Sequence, residues 1–559
     1  MERNAILATV LVIAILLGYQ WYLSRYETPT HEPARTTVPQ TSEQRPPAPQ
    51  PAQQPTTVAP LTTRPQAFIP TAQLSPPRKS VIVETPLMRV VLSTEGAQVT
   101  SWQLKNYKLA NGEPVDLVAL VGQNGRGGAL SAWVDADVLR GVFEVDKDRI
   151  DIFEPGAVAT LTFKYVTDAG VQVQKQVTFH ADRYDVDVGL VLRNLADEGV
   201  SVQPRLAWGP GFRNSTDKSA TTIQPPTLWI DGKRMQEDLA TLSGERPIDG
   251  KLSWVALQDM YFTAALLPKE ANLRAFVAKG AEAQGIVGLI GQKQTLPPGG
   301  ELALRAQVYA GPRDLDLLKD VGQDLDQLID LGWFDFLARP ALWLLKFFYH
   351  YTGNYGIAII LITVLQKIAF HPLTHKSMKS MQAMQAIQPK VQAIQERYKN
   401  NPQKKQEETM GLYRKHGVNP MGGCLPMLAQ IPIFIALYNA LSSSVEMWQA
   451  RFLWISDLTQ PDSLFTITLW GGHALSANLL ALLMGVSMWV QQKMTPTAGD
   501  PRQAAIMLWT MPVVFTFMFW GFPSGLVLYW FVNNILQVGQ QWLINRAKAR
   551  PSPVEGQPA

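Results

Sequence analysis

Cysteine is almost absent: Cys424 stands alone among 559 residues. That excludes an intramolecular disulfide and any CxxC redox or zinc site, so the chain folds without cross-links, which its size permits. Cys424 sits in "MGGCLPM" (421–427), at the start of an apolar segment, the setting of a buried structural thiol rather than a nucleophile. A surplus of one charge is also missing. The net charge of +4, from 50 basic against 46 acidic residues, speaks against nucleic-acid binding. There is no GxxxxGK[ST], no GxSxG and no HExxH. His371 and His375 are four apart, but Pro372 between them predicts a helix break and no third ligand is near, so neither a metal site nor any other cofactor is expected. No catalytic constellation emerges, and the chain reads as a non-enzyme. No lipobox cysteine follows the first apolar run, which excludes a lipoprotein leader.

What is present is strongly segmented. Residues 5–23, "AILATVLVIAILLGYQWYL", have bilayer-spanning length between Arg3 and Arg25, and no small-x-small cleavage site follows. Residues 1–26 are therefore predicted to be an uncleaved anchor. Residues 27–79 are dense in Pro, Gln and Thr, a composition that cannot bury a core and predicts an extended, disordered tether. From 80 to 316 the period becomes two: Tyr184, Val186, Val188, Leu190 and Leu192 alternate with more polar neighbours, and Val171, Val173, Val177 and Phe179 do so after the turn signal "TDAG" (167–170). This predicts an antiparallel β-sandwich. Residues 317–350 read as a connecting helix and an interfacial amphipathic helix, whose Trp333, Phe334, Phe336, Trp343, Phe347 and Phe348, with Arg339 and Lys346, suit a bilayer surface.

Five apolar segments fill 351–545: "GIAIILITVLQKIAF" (356–370), then stretches near 425–445, 478–491, 505–521 and 524–543. The fold class is thus a multi-domain membrane protein, an all-α bundle of anchor plus five-helix core with a large β domain outside the bilayer. Loop 374–420 carries Lys376, Lys379, Lys390, Arg397, Lys399, Lys404, Lys405, Arg414 and Lys415 against Glu396, Glu407 and Glu408. That bias places the loop, both termini and the 546–559 tail in the cytoplasm and the β domain across the membrane, in the periplasm of a bacterium. The loop reads as a helical hairpin around "KNNPQKK", packed on its own seam of Met378, Met381, Met384, Ile387, Val391, Ile394 and Tyr398. Its lysines suit anionic lipid headgroups or the ribosome. Met484, Met488, Met494, Met507, Met511 and Met518 read as apolar filler, adaptable enough to greet many apolar partners.

Lys367 is the anomaly. A lysine at a span's centre costs about 2.5–3.5 kcal/mol. Snorkelling is one account, since "HPLTH" (371–375) predicts the end of the span. A wet cavity is the other, with Thr363 one turn earlier on the same face. Polar stripes on other helices favour the cavity: Tyr529, Asn533, Gln537 and Gln541 recur every four residues, and Gln430 and Tyr438 stand two turns apart. No Asp or Glu lies on these stripes, so the pocket is net positive and should attract anionic or polar peptide segments.

"TVLQKIAFHPLT" (363–374), "VNPMGGCLPMLAQIPIFIALY" (418–438), "FLWISDLTQPD" (452–462), "QQKMTPTAGDPRQ" (491–503) and "FPSGLVLYWFVNN" (522–534) resemble the YidC family of membrane protein insertases in its Gram-negative form, and the order of parts fits along essentially the whole chain. The resemblance implies a β-supersandwich and a five-helix core whose hydrophilic groove opens to cytoplasm and lipid. It implies nascent membrane proteins as clients, handled alone or with the Sec translocon. Lys367 occupies the position where the family usually has arginine; Thr363, Gln430 and Tyr529 match groove positions, with Asn533 on the same line, and Trp530 stands where a second tyrosine is common. Lysine, unlike arginine, can lose its proton when buried, so hydration would have to keep the groove charged. Two rivals belong to other classes. A small-solute transporter would show inverted repeats, and none are found across the five spans. An enzyme acting on periplasmic sugars would need a converging carboxylate pair in the β domain.

Overall fold

The structure, a computed structural model, describes residues 77–548 except 110, 119–127, 136, 212–223, 243, 281–284, 419–424, 465, 469–473 and 495–500. The expected anchor, nearly all of the tether, Cys424 and the last residues of the tail lie outside the described residues.

The alternating segments form strands, as their period requires. Val171–His180 pairs antiparallel with Asp185–Asn194, which pairs in turn with Glu301–Pro312, inside a nine-stranded sheet. The turn before the first of these places Gly170 at φ +74°, a left-handed conformation that glycine adopts without strain. A six-stranded and a five-stranded sheet complete the bulk of the region. All three meet at Trp102 of the five-stranded sheet, which lies edge-on to Trp208 at 5.6 Å and 6.4 Å from Phe179. One pairing departs from the antiparallel expectation: Ser80–Glu84 runs parallel to Arg149–Asp151. The two strands are far apart in sequence, so no tight turn dictates their direction.

The alternation also carries a charge inward. Lys175 takes the core-facing position between Val173 and Val177 and is 0% exposed. Its Nζ donates to the carbonyls of Ala97, at 2.6 Å, and Leu130. Burial pulls its pKa down to about 7. In the unfolded chain the amine holds its proton to about pH 10. The unfolded state therefore binds more protons between these values, and stability rises with pH across that window. Unfolding of the full chain should show a gain of about 3 kcal/mol from pH 7 to 9.5, beyond which ionising tyrosines reverse the trend. Lys175→Met should reduce the slope by that amount; an unchanged slope would assign it to other groups.

Eight α-helices follow among the described residues. Helix α1 (Leu315–Val321) is N-capped by Asp314, which accepts from the amides of Asp316 and Leu317. Helix α2 (Asp335–Thr352) exposes Trp333 before its start, then Phe336, Trp343 and Tyr351 along one side. Its basic residues do not join that side. Arg339 pairs with Asp335 at 2.7 Å and Asp326 at 3.4 Å. Lys346 sits among Asp314 (3.1 Å), Asp316 (2.7 Å) and Glu446 (2.8 Å). The grouping of these two cations with the aromatic rings is thus corrected: carboxylates on α2 itself and on neighbouring elements outcompete the surface.

The break that Pro372 predicts does not form. Helix α3 runs unbroken from Tyr355 to Arg397, through Pro372 and Pro389. Each proline removes one backbone bond, and both lie on the exposed face, where the ladder can open slightly outward. At 1.5 Å per residue the helix is roughly 65 Å long, about twice the hydrocarbon thickness of a bilayer. The first arm of the expected hairpin is therefore the far end of the Lys367 helix. Helix α4 (Pro402–Lys415) is the second arm, and Met384, Ile387 and Val418 pack together beside Tyr413.

Helices α5 (Leu425–Ser442), α6 (Leu479–Met494), α7 (Pro501–Met518) and α8 (Ser524–Lys548) complete the helical part. Among the described residues α3 alone is long and apolar enough in itself to cross a membrane. The segment after α5 ties the two parts together. Trp448 Nε1 donates to Lys108 O at 2.9 Å, and its ring packs edge-on against Tyr261 and Phe262.

Candidate polar groove

Helices α3, α5, α6 and α8 surround a cavity of about 360 Å³. Its polarity follows from helical spacing. On α8, Asn533, Gln537 and Gln541 recur every four residues and turn to the same side; on α3, Lys367 faces them. Lys367 Nζ donates to Asn533 Oδ1 at 3.3 Å and to Gln537 Oε1. Both partners are neutral amide oxygens. No carboxylate is present among the residues lining the cavity.

One end is closed by a ring of three hydrogen bonds. Gln366 donates to Gln430 Oε1 at 3.1 Å, Gln430 donates to the Tyr529 hydroxyl, and Tyr529 donates to Gln366 Oε1 at 3.0 Å. Each group gives one bond and takes one, and three helices are joined by the ring. Towards the other end, Gln540 Nε2 bridges His371 Nδ1 (3.1 Å) and Thr374 Oγ1 (3.2 Å), a third link between α8 and α3. The unbroken α3 then carries Ser377, Met378 and Met381 onto the cavity wall.

The sequence candidates divide. Lys367, Gln430, Asn533 and Trp530 line the cavity; Trp530 stands against Phe434 with ring centroids 5.0 Å apart. Tyr529 is 0% exposed and belongs to the closing ring rather than the wall. Thr363 is 1% exposed and donates to Ile359 O at 2.7 Å, so its hydroxyl is spent on its own helix. Tyr438 is 37% exposed and packs beside Phe522, away from the cavity. Gln366 escaped notice although the polar doublet Gln366–Lys367 inside an apolar run was its signal. Ser377, Met378 and Met381 were hidden by the break expected at Pro372.

Flanking the polar space are apolar faces. Leu428, Ile431 and Ile435 are exposed along α5, and Ile506, Trp509, Val513 and Phe517 along α7, each set at spacings of three or four.

Removing the Tyr529 hydroxyl strands one buried donor on Gln430 and one acceptor on Gln366. Tyr529→Phe should cost about 1–2 kcal/mol, read as a drop of about 1–2 °C in the melting temperature of the detergent-solubilised chain. An unchanged melting temperature would show that water replaces the hydroxyl.

Two family profiles match consecutive parts of the chain: "YidC periplasmic domain" over residues 80–344 and "60Kd inner membrane protein" over residues 347–551. The membrane protein insertase YidC of Syntrophus aciditrophicus is 36% identical over 560 residues, covering 98% of this chain and 100% of that protein. This chain belongs to the YidC family. The YidC insertase of Pelobacter propionicus is similar at 37% identity over 554 residues, covering 98% and 99%. A crystal structure of an active YidC insertase with its first transmembrane domain resolved aligns at 21% identity and a TM-score of 0.36, covering 83% of this chain and 92% of that one. The β-rich region is therefore a YidC periplasmic domain, and the helical part belongs with the family's inner-membrane half.

Proposed function

We propose that this chain inserts nascent proteins into the bacterial inner membrane through the groove around Lys367, without nucleotide and without covalent chemistry. The observation that carries the reading is a single cation whose only hydrogen-bond partners among the described residues are amide oxygens, in a cavity with no carboxylate among its described lining residues. Such a site offers polar atoms and unneutralised positive charge to a polar or acidic segment that has left bulk water.

In this reading residues 1–26 are an anchor, α3 and α5–α8 form a five-helix bundle, and the β domain is periplasmic. The helical hairpin at the far end of α3, both termini and the C-terminal tail are cytoplasmic. A client arrives as an apolar segment with a short polar tail. The tail enters the groove, where Lys367, Gln430, Asn533 and bound water replace bulk solvation; Thr363 and Tyr529 support the wall from behind. This shortens the low-dielectric path the tail must cross. The apolar segment leaves along the exposed faces of α5 and α7, driven by burial in lipid at roughly 25 cal/mol per Å². The membrane potential, about 2.3 kcal/mol per charge per 100 mV, draws an acidic tail outward. The Sec translocon would join for larger clients, and the basic loop would meet the ribosome. The transporter reading gains no support from any of these observations.

The test is reconstitution. Purified full chain in liposomes, with no nucleotide, should protect the tail of a short-tailed single-span client from external protease, and an imposed potential should increase protection. Equal protection in protein-free liposomes, or an absolute need for nucleotide, would overturn the reading.

A further inference from the structure

A second cavity, about 410 Å³, lies where the β domain meets the helices. Three aromatic side chains from three separate segments line it: Tyr107 from the β domain, Tyr355 from the first turn of α3, and Trp448 from the segment after α5. They come with one carboxylate, Glu446, one lysine, Lys108, and the amides of Asn106 and Gln449. Nothing in the insertion mechanism uses them.

We propose that this cavity holds the zwitterionic headgroup of a phosphatidylethanolamine molecule from the outer leaflet, its ammonium against Glu446 and the rings, its phosphate towards Lys108. Aromatic faces with a carboxylate behind them are the arrangement that recognises an ammonium. Position supplies the source. With the membrane placed as above, on which this inference rests, Tyr355 and Glu446 lie at the outer ends of α3 and α5, level with the headgroups. Tyr355 stacks on Tyr349 of α2 at 3.9 Å, and α2 exposes Trp343 and Tyr351, the amphipathic rings that settle at a bilayer boundary.

Charge selects the headgroup. Behind the cavity, Asp314, Asp316 and Glu446 surround the lone ammonium of Lys346. Burial pushes the Glu446 carboxyl up, and Asp314 adds to this, while Lys346 opposes both. A second cation would relieve that imbalance. On the wall itself Lys108, at an exposed position, is the one cation beside this acidic cluster among the described lining residues, so the site offers one charge to a phosphate and the opposite charge to an ammonium. A purely anionic headgroup would meet Glu446, and a peptide lysine would meet Lys108.

The test uses detergent-purified full chain and native mass spectrometry with equal amounts of phosphatidylethanolamine and phosphatidylglycerol. The wild type should retain phosphatidylethanolamine about five- to ten-fold over phosphatidylglycerol. Soluble phosphoethanolamine should compete, which separates headgroup recognition from acyl-chain contact. Lys108→Glu, at an exposed position, and Glu446→Gln should each abolish the preference. Equal retention of both lipids by the wild type, or a preference intact in both variants, would overturn the proposal. Insertion in liposomes lacking phosphatidylethanolamine is scored separately: a chain that inserts clients yet shows no lipid preference defeats this inference alone.

Discussion

Lys367→Glu should lower the insertion of a client with an acidic tail by about 100-fold while leaving the protein folded. The size follows from charge and distance. At an effective dielectric near 20, unit charges about 6 Å apart interact by roughly 3 kcal/mol, and water in the groove cuts that further. Replacing attraction by repulsion doubles the change, so a net swing of about 3 kcal/mol is a conservative figure. The fold should survive because the partners of Lys367 are amides. Asn533 and Gln537 present oxygens to an ammonium, and a rotation of each amide presents N–H groups to a carboxylate. Lys367→Arg should insert near the wild-type rate, since it keeps the charge and adds donors. Lys367→Ala should fall between, with the larger deficit for acidic tails and little for neutral ones. Depletion of the endogenous insertase, complementation with each variant, and protease protection of pulse-labelled clients give the ranking. An acidic-tailed client inserted by Lys367→Glu at the wild-type rate would remove the cation from the mechanism.

Lys367 was legible because burial of a charge needs an explanation, and three polar helix stripes supplied one. The β domain was legible for a simpler reason: the period of two survives strand after strand, so Val171, Val173, Val177 and Phe179 declare a face. The same face hid Lys175, because a residue that breaks an apolar alternation reads as noise until the carbonyls of Ala97 and Leu130, distant in sequence, are seen around it. Thr363 misled because helical spacing fixes which side a residue occupies, not whether its hydroxyl turns back to its own helix. Pro372 misled because proline's cost depends on which face it takes, and here the outward face can absorb it. The parallel strand pair and the acidic cluster at Lys346 share one difficulty. Their partners are dozens of residues away, where no local pattern reaches.

That cluster carries the second large effect. Lys346→Met should destabilise the junction between the β domain and the helices by about 3 kcal/mol near neutral pH, because it leaves Asp314, Asp316 and Glu446 facing one another with no cation. Burial alone would pull the Lys346 ammonium below its usual range, but Glu446, Asp316 and Asp314 outweigh it and hold the group above. Removing the lysine leaves only the Ser444 hydrogen bond to oppose the upward push of burial and Asp314 on Glu446. In the variant a carboxyl there keeps its proton to higher pH in the folded state than in the unfolded chain. The folded state then binds more protons, so the variant loses stability as pH rises through that range and regains it on acidification. The gap between wild type and Lys346→Met should thus be widest near pH 8 and should narrow towards pH 5. Lys346→Arg should close most of it at all pH values, and adding Glu446→Gln to Lys346→Met should flatten its pH dependence. Protease cleavage around residues 443–449 in the full chain, followed from pH 5 to 8, reports the junction directly. Cleavage of Lys346→Met at the same rate across that range would mean the lysine acts through packing of its stem, not through its charge.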